Sequence, residues 1–183
     1  HGMPAALLMS NLQAAVRLLA SPVNEASQSP APSELCARAN AFVSRNVKPG
    51  GFITFFYAVL DLSSGKLRYA NAGHNPPLIA RKDGELVKLV TGDFPLGLRA
   101  STSFHQSEIG LRSGDVLLLY TDGVVEAADI FGEQLGEERL IEILRTNRHL
   151  PASQLADTIL NSVHTRSKNT FQDDVTMLVL TAP

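Results

Sequence analysis

The chain has 183 residues with 44% hydrophobic and 19% charged side chains, which is enough for one globular domain with its own core. A formal charge of -2 gives no basic footprint for nucleic acid or an anionic membrane. Cys36 is the sole cysteine, so no intrachain disulfide forms; among Leu35, Ala37 and Ala39 it reads as a small buried hydrophobe, and a cytoplasmic location is expected.

The first apolar stretch, residues 5–20, is interrupted by Ser10, Asn11, Gln13 and Arg17, too short and too polar to span a bilayer. Pro4 suits a first helical turn, and Leu8, Leu12, Ala15 and Leu19 follow at helical spacing, giving an amphipathic helix that ends near Ser21-Pro22. Residues 23–32 read as a loop. Ser33 is then expected to cap a second helix carrying Leu35, Ala39, Phe42 and Val43, which stops at Lys48-Pro49-Gly50-Gly51.

From Phe52 the pattern turns to strands. Residues 52–60 are nearly all apolar, Ser63-Ser64-Gly65 turns the chain, and Leu67, Tyr69 and Asn71 alternate with their neighbours, so a hairpin is expected. Residues 77–80 and 85–90 flank Lys82-Asp83-Gly84 as a second hairpin, and residues 104–109 are expected to pair with 116–120. Helical spacing returns over 136–147 and 151–167, and a last strand covers 175–180. Residues 52–60, 116–120 and 175–180 are apolar on both faces and are expected as central strands, since exposed edges of that composition invite aggregation. Helices, then antiparallel strands, then helices and a strand give an α+β layered fold.

Two strand ends carry acids. Val116 to Tyr120 is a buried apolar run that delivers Asp122 into Asp122-Gly123, and Asp173-Asp174 abuts the apolar Val175-Thr176-Met177-Leu178. An unpaired carboxylate at a buried strand end is costly, and oxygen ligands suit hard cations, so a shared metal ion is expected at Asp122 and Asp173, with ligand contacts of about 2.1 Å for Mg²⁺. Taken singly, each acid reads better as a turn or a polar strand entry, and only the two together shift the balance toward a metal. No Walker loop, serine nucleophile elbow or Cys-rich metal pattern is present, and His1, His105, His149 and His164 show no paired ligand spacing.

Tyr120-Thr121-Asp122-Gly123-Val124-Val125-Glu126-Ala127, Asp173-Asp174-Val175-Thr176 and Asn71-Ala72-Gly73-His74-Asn75-Pro76-Pro77 together resemble the metal-dependent (PPM) serine/threonine phosphatases of the bacterial SpoIIE/RsbU type, over essentially the whole chain. The resemblance implies an antiparallel β-sandwich flanked by helix pairs in αββα layers, with two Mn²⁺ or Mg²⁺ ions at one end and hydrolysis of phosphoserine or phosphothreonine by a metal-bound water. It makes Asp122, Asp173 and Gly123 metal-site residues, with Asp174 in an outer role. His74 becomes a proton donor toward a phosphate oxygen or leaving group, and Asn75 and Gly97, the latter within Gly92-Asp93-Phe94-Pro95-Leu96-Gly97-Leu98, fall in loops facing substrate. The role of Glu126 stays open.

The resembled family carries Gly-Asp-Val-Ser-Gly ahead of a His-Gly like His1-Gly2, and the aspartate of that segment bridges both metals. Residues 1–183 thus read as a single phosphatase domain lacking its N-terminal strands, a piece of a longer protein that holds part of the ligand set. The implied partner is a phosphorylated regulatory protein of the anti-anti-sigma kind, with a sensory domain upstream and neither nucleic acid nor membrane insertion. The alternative is a catalytically incomplete module that signals by docking.

Overall fold

The computed structural model describes residues 3–20, 29–168 and 173–183. In chain order the elements are α1 (Met3–Ala20), α2 (Pro32–Asn46), β1 (Phe55–Asp61), β2 (Lys66–Ala72), β3 (Leu78–Ala80), β4 (Leu86–Lys88), β5 (Ser107–Gly110), β6 (Val116–Tyr120), α3 (Asp122–Val125), α4 (Gly136–Asn147), α5 (Ala152–Ser167) and β7 (Met177–Thr181). They form an α+β fold with two antiparallel sheets, divided into two compact units: His1–His74 with Val90–Gly110, and Asn75–Leu89 with Leu111–Pro183. No helix among the described residues is long and apolar enough to cross a membrane. The expected end of α1 at Ser21-Pro22, residues 23–28 of the following loop, His1-Gly2 and Phe171-Gln172 lie outside the described residues.

In the first unit the sheet order is β1-β2-β5. The β1–β2 turn is organised by Asp61, whose carboxylate accepts the Ser63 N–H at 2.9 Å and the hydroxyls of Ser63 and Ser64 at 2.7 Å each. These hydroxyls, Ser64's foremost, hold the Asp61 carboxyl below the usual carboxylate range. Leu12, Cys36, Ala39, Val43, Ala70, Ala72, Leu96 and Phe104 form the buried cluster, in which alanines on α2 and β2 face each other. Burial, with the nearby Asp93 charge, pushes the Cys36 thiol up to about 12, as befits a packing residue. Helix α2 starts two residues earlier than a Ser33 cap implies: Ala31 is the N-cap, Pro32 fixes the first turn, and the Ser33 hydroxyl instead bonds Gln106 Oε1 at 3.1 Å.

In the second unit the order is β4-β3-β6-β7. Val116, Leu118 and Tyr120 of β6 share one face by the two-residue period of a strand and pack with Leu140, Leu144, Leu155, Ile159 and Val163 of α4 and α5. At the start of β6 the buried Asp115 pairs with Arg81 and accepts the Arg112 N–H at 2.8 Å, which ties the β3 end to the turn before β6.

Two expectations need correction. Residues 104–109 do not pair with 116–120: β5 runs antiparallel to β2, from Lys66↔Gly110 to Tyr69↔Ser107, and an ion pair of 2.9 Å joins Lys66 to Glu108. The polar residues Ser107 and Glu108 suit an exposed strand, whereas β6 is buried between β3 and β7. Of the three strands expected as central, only β6 is; among the described strands β1 and β7 lie at sheet edges. Their apolar content is accounted for by helix contact on one face, since Phe55 and Tyr57 pack on the first cluster and Met177 and Val179 on the second, while Leu178 stays 53% exposed.

Candidate active site

The central strand β6 runs into Thr121, which clamps the entry to β7. The Thr121 N–H donates to Thr176 O at 3.0 Å, the Thr176 N–H returns to Thr121 Oγ1 at 3.0 Å, and the Thr121 hydroxyl donates to Asp174 O at 3.0 Å. The next residue lets the chains touch. A Cβ on buried Gly123 would stand 2.5 Å from Asp174 O and 3.4 Å from Asp173 O, so only a glycine permits this approach. The two acidic segments, far apart in sequence, therefore meet at one end of the sheet.

Asp122 Oδ1 accepts the Gly123 N–H at 3.0 Å, and Asp173 Oδ1 accepts the Asp174 N–H at 2.8 Å. Asp122, Asp173 and Asp174 are all exposed, and none forms an ion pair among the described residues. This corrects the expectation that Asp122 is a buried acid in need of a partner: water solvates it at the open strand end. What favours a cation here is that the backbone contact at Gly123 brings two acidic segments to one strand end, with no ion pair to Asp122, Asp173 or Asp174 among the described residues. Their oxygens fit a hard divalent ion in kind but fall short in number, because among the described residues no three His, Cys, Asp or Glu side chains group as a metal site. Glu126 is exposed and closes α3 through its N–H on Asp122 O at 2.8 Å.

In the first unit, the Asn71 to His74 stretch is held by two residues. Thr91 Oγ1 accepts the Asn71 N–H at 3.0 Å and donates to Asn71 O at 2.9 Å; Asp93 Oδ2 lies 3.0 Å from the same hydroxyl and 2.9 Å from the His105 N–H. Asn71 Oδ1 accepts the His74 N–H at 2.8 Å, and His74 Nδ1 lies 3.3 Å from Thr54 Oγ1. Gly73, at φ +70, lies so close to Pro95 that a Cβ would stand 2.5 Å from the proline ring. Gly97, at φ +86, packs on Val43 and receives Asn40 Oδ1 at its N–H at 2.8 Å. His74 and Gly97 thus belong to the first unit, and Asp122, Gly123, Asp173, Asp174 and the half-buried Asn75 to the second. The roles of Thr121, Thr91 and Asp93 are not legible in the sequence, because they are hydrogen bonds to partners that the fold supplies, among them Asp174, Thr176, Asn71 and His105. A cleft of about 820 Å³ in the second unit, lined by Asp129, Gln134, Arg139, Thr158, Asn161 and Arg166 among others, includes none of Asp122, Asp173 and Asp174.

The whole chain, residues 1–183, matches the family described as Stage II sporulation protein E (SpoIIE). The chain belongs to the SpoIIE family. It is 30% identical to the phosphoserine phosphatase RsbU of Bacillus subtilis over 184 aligned residues, covering 98% of this chain and 52% of RsbU. This SpoIIE-family chain therefore spans about half the length of that relative. The SiaA PP2C domain of Pseudomonas aeruginosa shares its fold, with a TM-score of 0.82 at 22% identity, covering all of this chain and 71% of that one. The structure of the RsbU and RsbW domains of Rv1364c from Mycobacterium tuberculosis aligns with a TM-score of 0.76 at 29% identity, over 100% of this chain and 51% of that one.

Proposed function

We propose that this SpoIIE-family chain is a protein serine/threonine phosphatase domain, acting in the cytoplasm on a phosphorylated regulatory protein of the anti-anti-sigma kind. The observation that carries the reading is the contact of Asp122-Gly123 with Asp173-Asp174, which brings two acidic segments to one strand end. The name of RsbU, a phosphoserine phosphatase 30% identical to this chain, supports the substrate class.

In this reading Asp122 and Asp173 hold Mn²⁺ or Mg²⁺, two ions in all, with Gly123 leaving room for the opposing backbone and Asp174 steadying Asp173. Divalent ions, when bound, neutralise phosphoryl charge and lower the pKa of water. Thr121 fixes the spacing of the two acidic segments. His74, oriented through Thr54 and Asn71, is proposed to donate a hydrogen bond or proton toward the departing seryl oxygen, and Asn75 and Gly97 to border the substrate.

Hydrolysis of phosphoserine and phosphothreonine peptides is the test. Turnover that needs Mn²⁺ or Mg²⁺ and stops with chelator is expected; phosphate release unaffected by chelator removes the proposal. The lack of a three-ligand group among the described residues favours a second reading, a docking module without turnover. Tight binding of a phosphoprotein with no hydrolysis under either metal establishes that reading instead.

A further inference from the structure

The second unit has another cleft, of about 490 Å³, lined by Lys82, Val116, Arg148, His149, Leu150 and Pro151 among others. Gly114 and Thr181 also border it, which puts it where β6 begins and β7 ends. The acidic segments stand at the opposite end of the same strand pair, since Val116 faces Thr181 in register and Tyr120 faces Met177. Four steps of extended strand, about 13 Å, separate Val116 from Tyr120.

The charge of this lining runs against its surroundings. The second unit has nine Lys or Arg against thirteen Asp or Glu, yet the cleft is lined by Lys82, Arg148 and the His149 imidazole with no carboxylate. Among the described residues none of these three forms an ion pair. The acids next to them in sequence are engaged elsewhere: Asp83 Oδ1 accepts the Glu85 N–H at 3.0 Å, and Asp115 pairs with the buried Arg81. Both cations are held in place. Arg148 Nε donates to Lys82 O at 3.4 Å and Nη1 to Arg145 O at 2.5 Å, so carbonyls alone fix the guanidinium between the end of α4 and the β3–β4 turn. The Lys82 stem lies along Gly114, where a Cβ would stand 3.0 Å from Lys82 Cδ.

We infer that this cleft binds a phosphate monoester of about mononucleotide size that carries a planar ring. A phosphate monoester bears about -1.5 to -2 charges at neutral pH, which matches Lys82 and Arg148 together better than one carboxylate does. The guanidinium fork suits phosphate oxygens, and either tautomer of His149 offers a ring N–H. Val116, Leu150 and Pro151 supply apolar surface for the ring, and the volume falls in the range of about 300–1,000 Å³ common for small-molecule sites, whereas a bare phosphate ion would leave most of it to water. The inference goes beyond the phosphatase reading and does not depend on it, because neither Asp122 nor Asp173 lines this cleft.

The test is calorimetric titration of the chain with adenosine monophosphate, inorganic phosphate and adenosine, in EDTA, so that no divalent ion occupies the acidic strand end. Adenosine monophosphate is expected to bind at least about tenfold more tightly than either of its parts. Lys82→Gln and Arg148→Ala should each weaken it about tenfold, the worth of one hydrogen bond to a charged group. Lys82→Gln keeps a stem over Gly114, so it reads binding even where Arg148→Ala loosens the end of α4. Arg139→Gln, in the larger cleft, should bind as wild type does. No binding of the monophosphate, or binding no tighter than that of adenosine, overturns the inference. Affinity equal to that of inorganic phosphate marks an adventitious ion only and overturns it as well. So does an affinity unchanged in both Lys82→Gln and Arg148→Ala, or one lost in Arg139→Gln alone.

Discussion

Gly123→Ala isolates the contact on which the candidate site depends. The glycine lies outside the left-handed region, so alanine there meets no backbone strain of its own; the obstacle is space. Its Cβ would fall 2.5 Å from Asp174 O, 3.0 Å from Asp174 C and 3.4 Å from Asp173 O, all backbone atoms that cannot rotate away. Ordinary contact requires the Asp173-Asp174 segment to retreat by roughly 1 Å, against the hydrogen bonds from Thr121. Overpacking of this kind costs about 1–3 kcal/mol, and alanine recovers less than about 1 kcal/mol of helix propensity so near the start of α3. The net loss of about 1–2 kcal/mol corresponds to a Tm lower by about 2–8 °C for a chain of this size. The chemistry should suffer more than the stability, because a 1 Å misplacement of positioning groups costs on the order of 10²-fold in rate. Thermal melts and kcat/KM on a phosphoserine peptide measure the two effects. A Gly123→Ala protein with wild-type Tm and wild-type kcat/KM refutes the argument that these segments touch and that their spacing matters.

Asp115→Ala leaves Arg81 buried without its carboxylate and should cost about 3–5 kcal/mol in urea denaturation, whereas an effect near zero shows that the pair is not buried in solution. Cys36 should resist thiol reagents at pH 8 until the chain unfolds, because burial raises its pKa and blocks access; rapid labelling of the native protein contradicts this packing. Asp61 has a folded pKa below its unfolded value, so its contribution to stability is complete above about pH 4 and is lost as pH falls through the folded pKa. Asp61→Asn should therefore be less stable than wild type at neutral pH, and the difference should shrink in strong acid. A difference independent of pH assigns the effect to shape instead of charge.

Residue pattern conveyed much of this molecule, and its silences have physical causes. The helices at 136–147 and 152–167 and both hairpins were readable because their partners are local: turns such as Asp61-Leu62-Ser63-Ser64-Gly65 and repeats such as Leu140, Ile143, Leu144 encode them directly. Which strand lies beside which is not local. An apolar run tells that a strand's faces are covered and says nothing of its edges, so β1 and β7 read as central, and β5 was paired with its neighbour in sequence when Lys66 and Glu108 join it to β2. At the site, Asp122 and Asp173 were legible as acids at strand ends, but their exposure was not, since burial of β6 stops one residue short of Asp122. Nothing local in the sequence announces the burial of Asp115, because the partner that explains it, Arg81, stands just past the end of β3.

The central claim is that Asp122 and Asp173 hold divalent metal for phosphoester hydrolysis, and Mn²⁺ binding followed by electron paramagnetic resonance tests it most directly. Wild-type protein should take up Mn²⁺ in competition with Mg²⁺, and Asp122→Asn and Asp173→Asn should each weaken uptake at least about tenfold at unchanged Tm, since the amide keeps the size of the carboxylate and removes its charge. Mn²⁺ uptake identical in wild type and both variants contradicts the account.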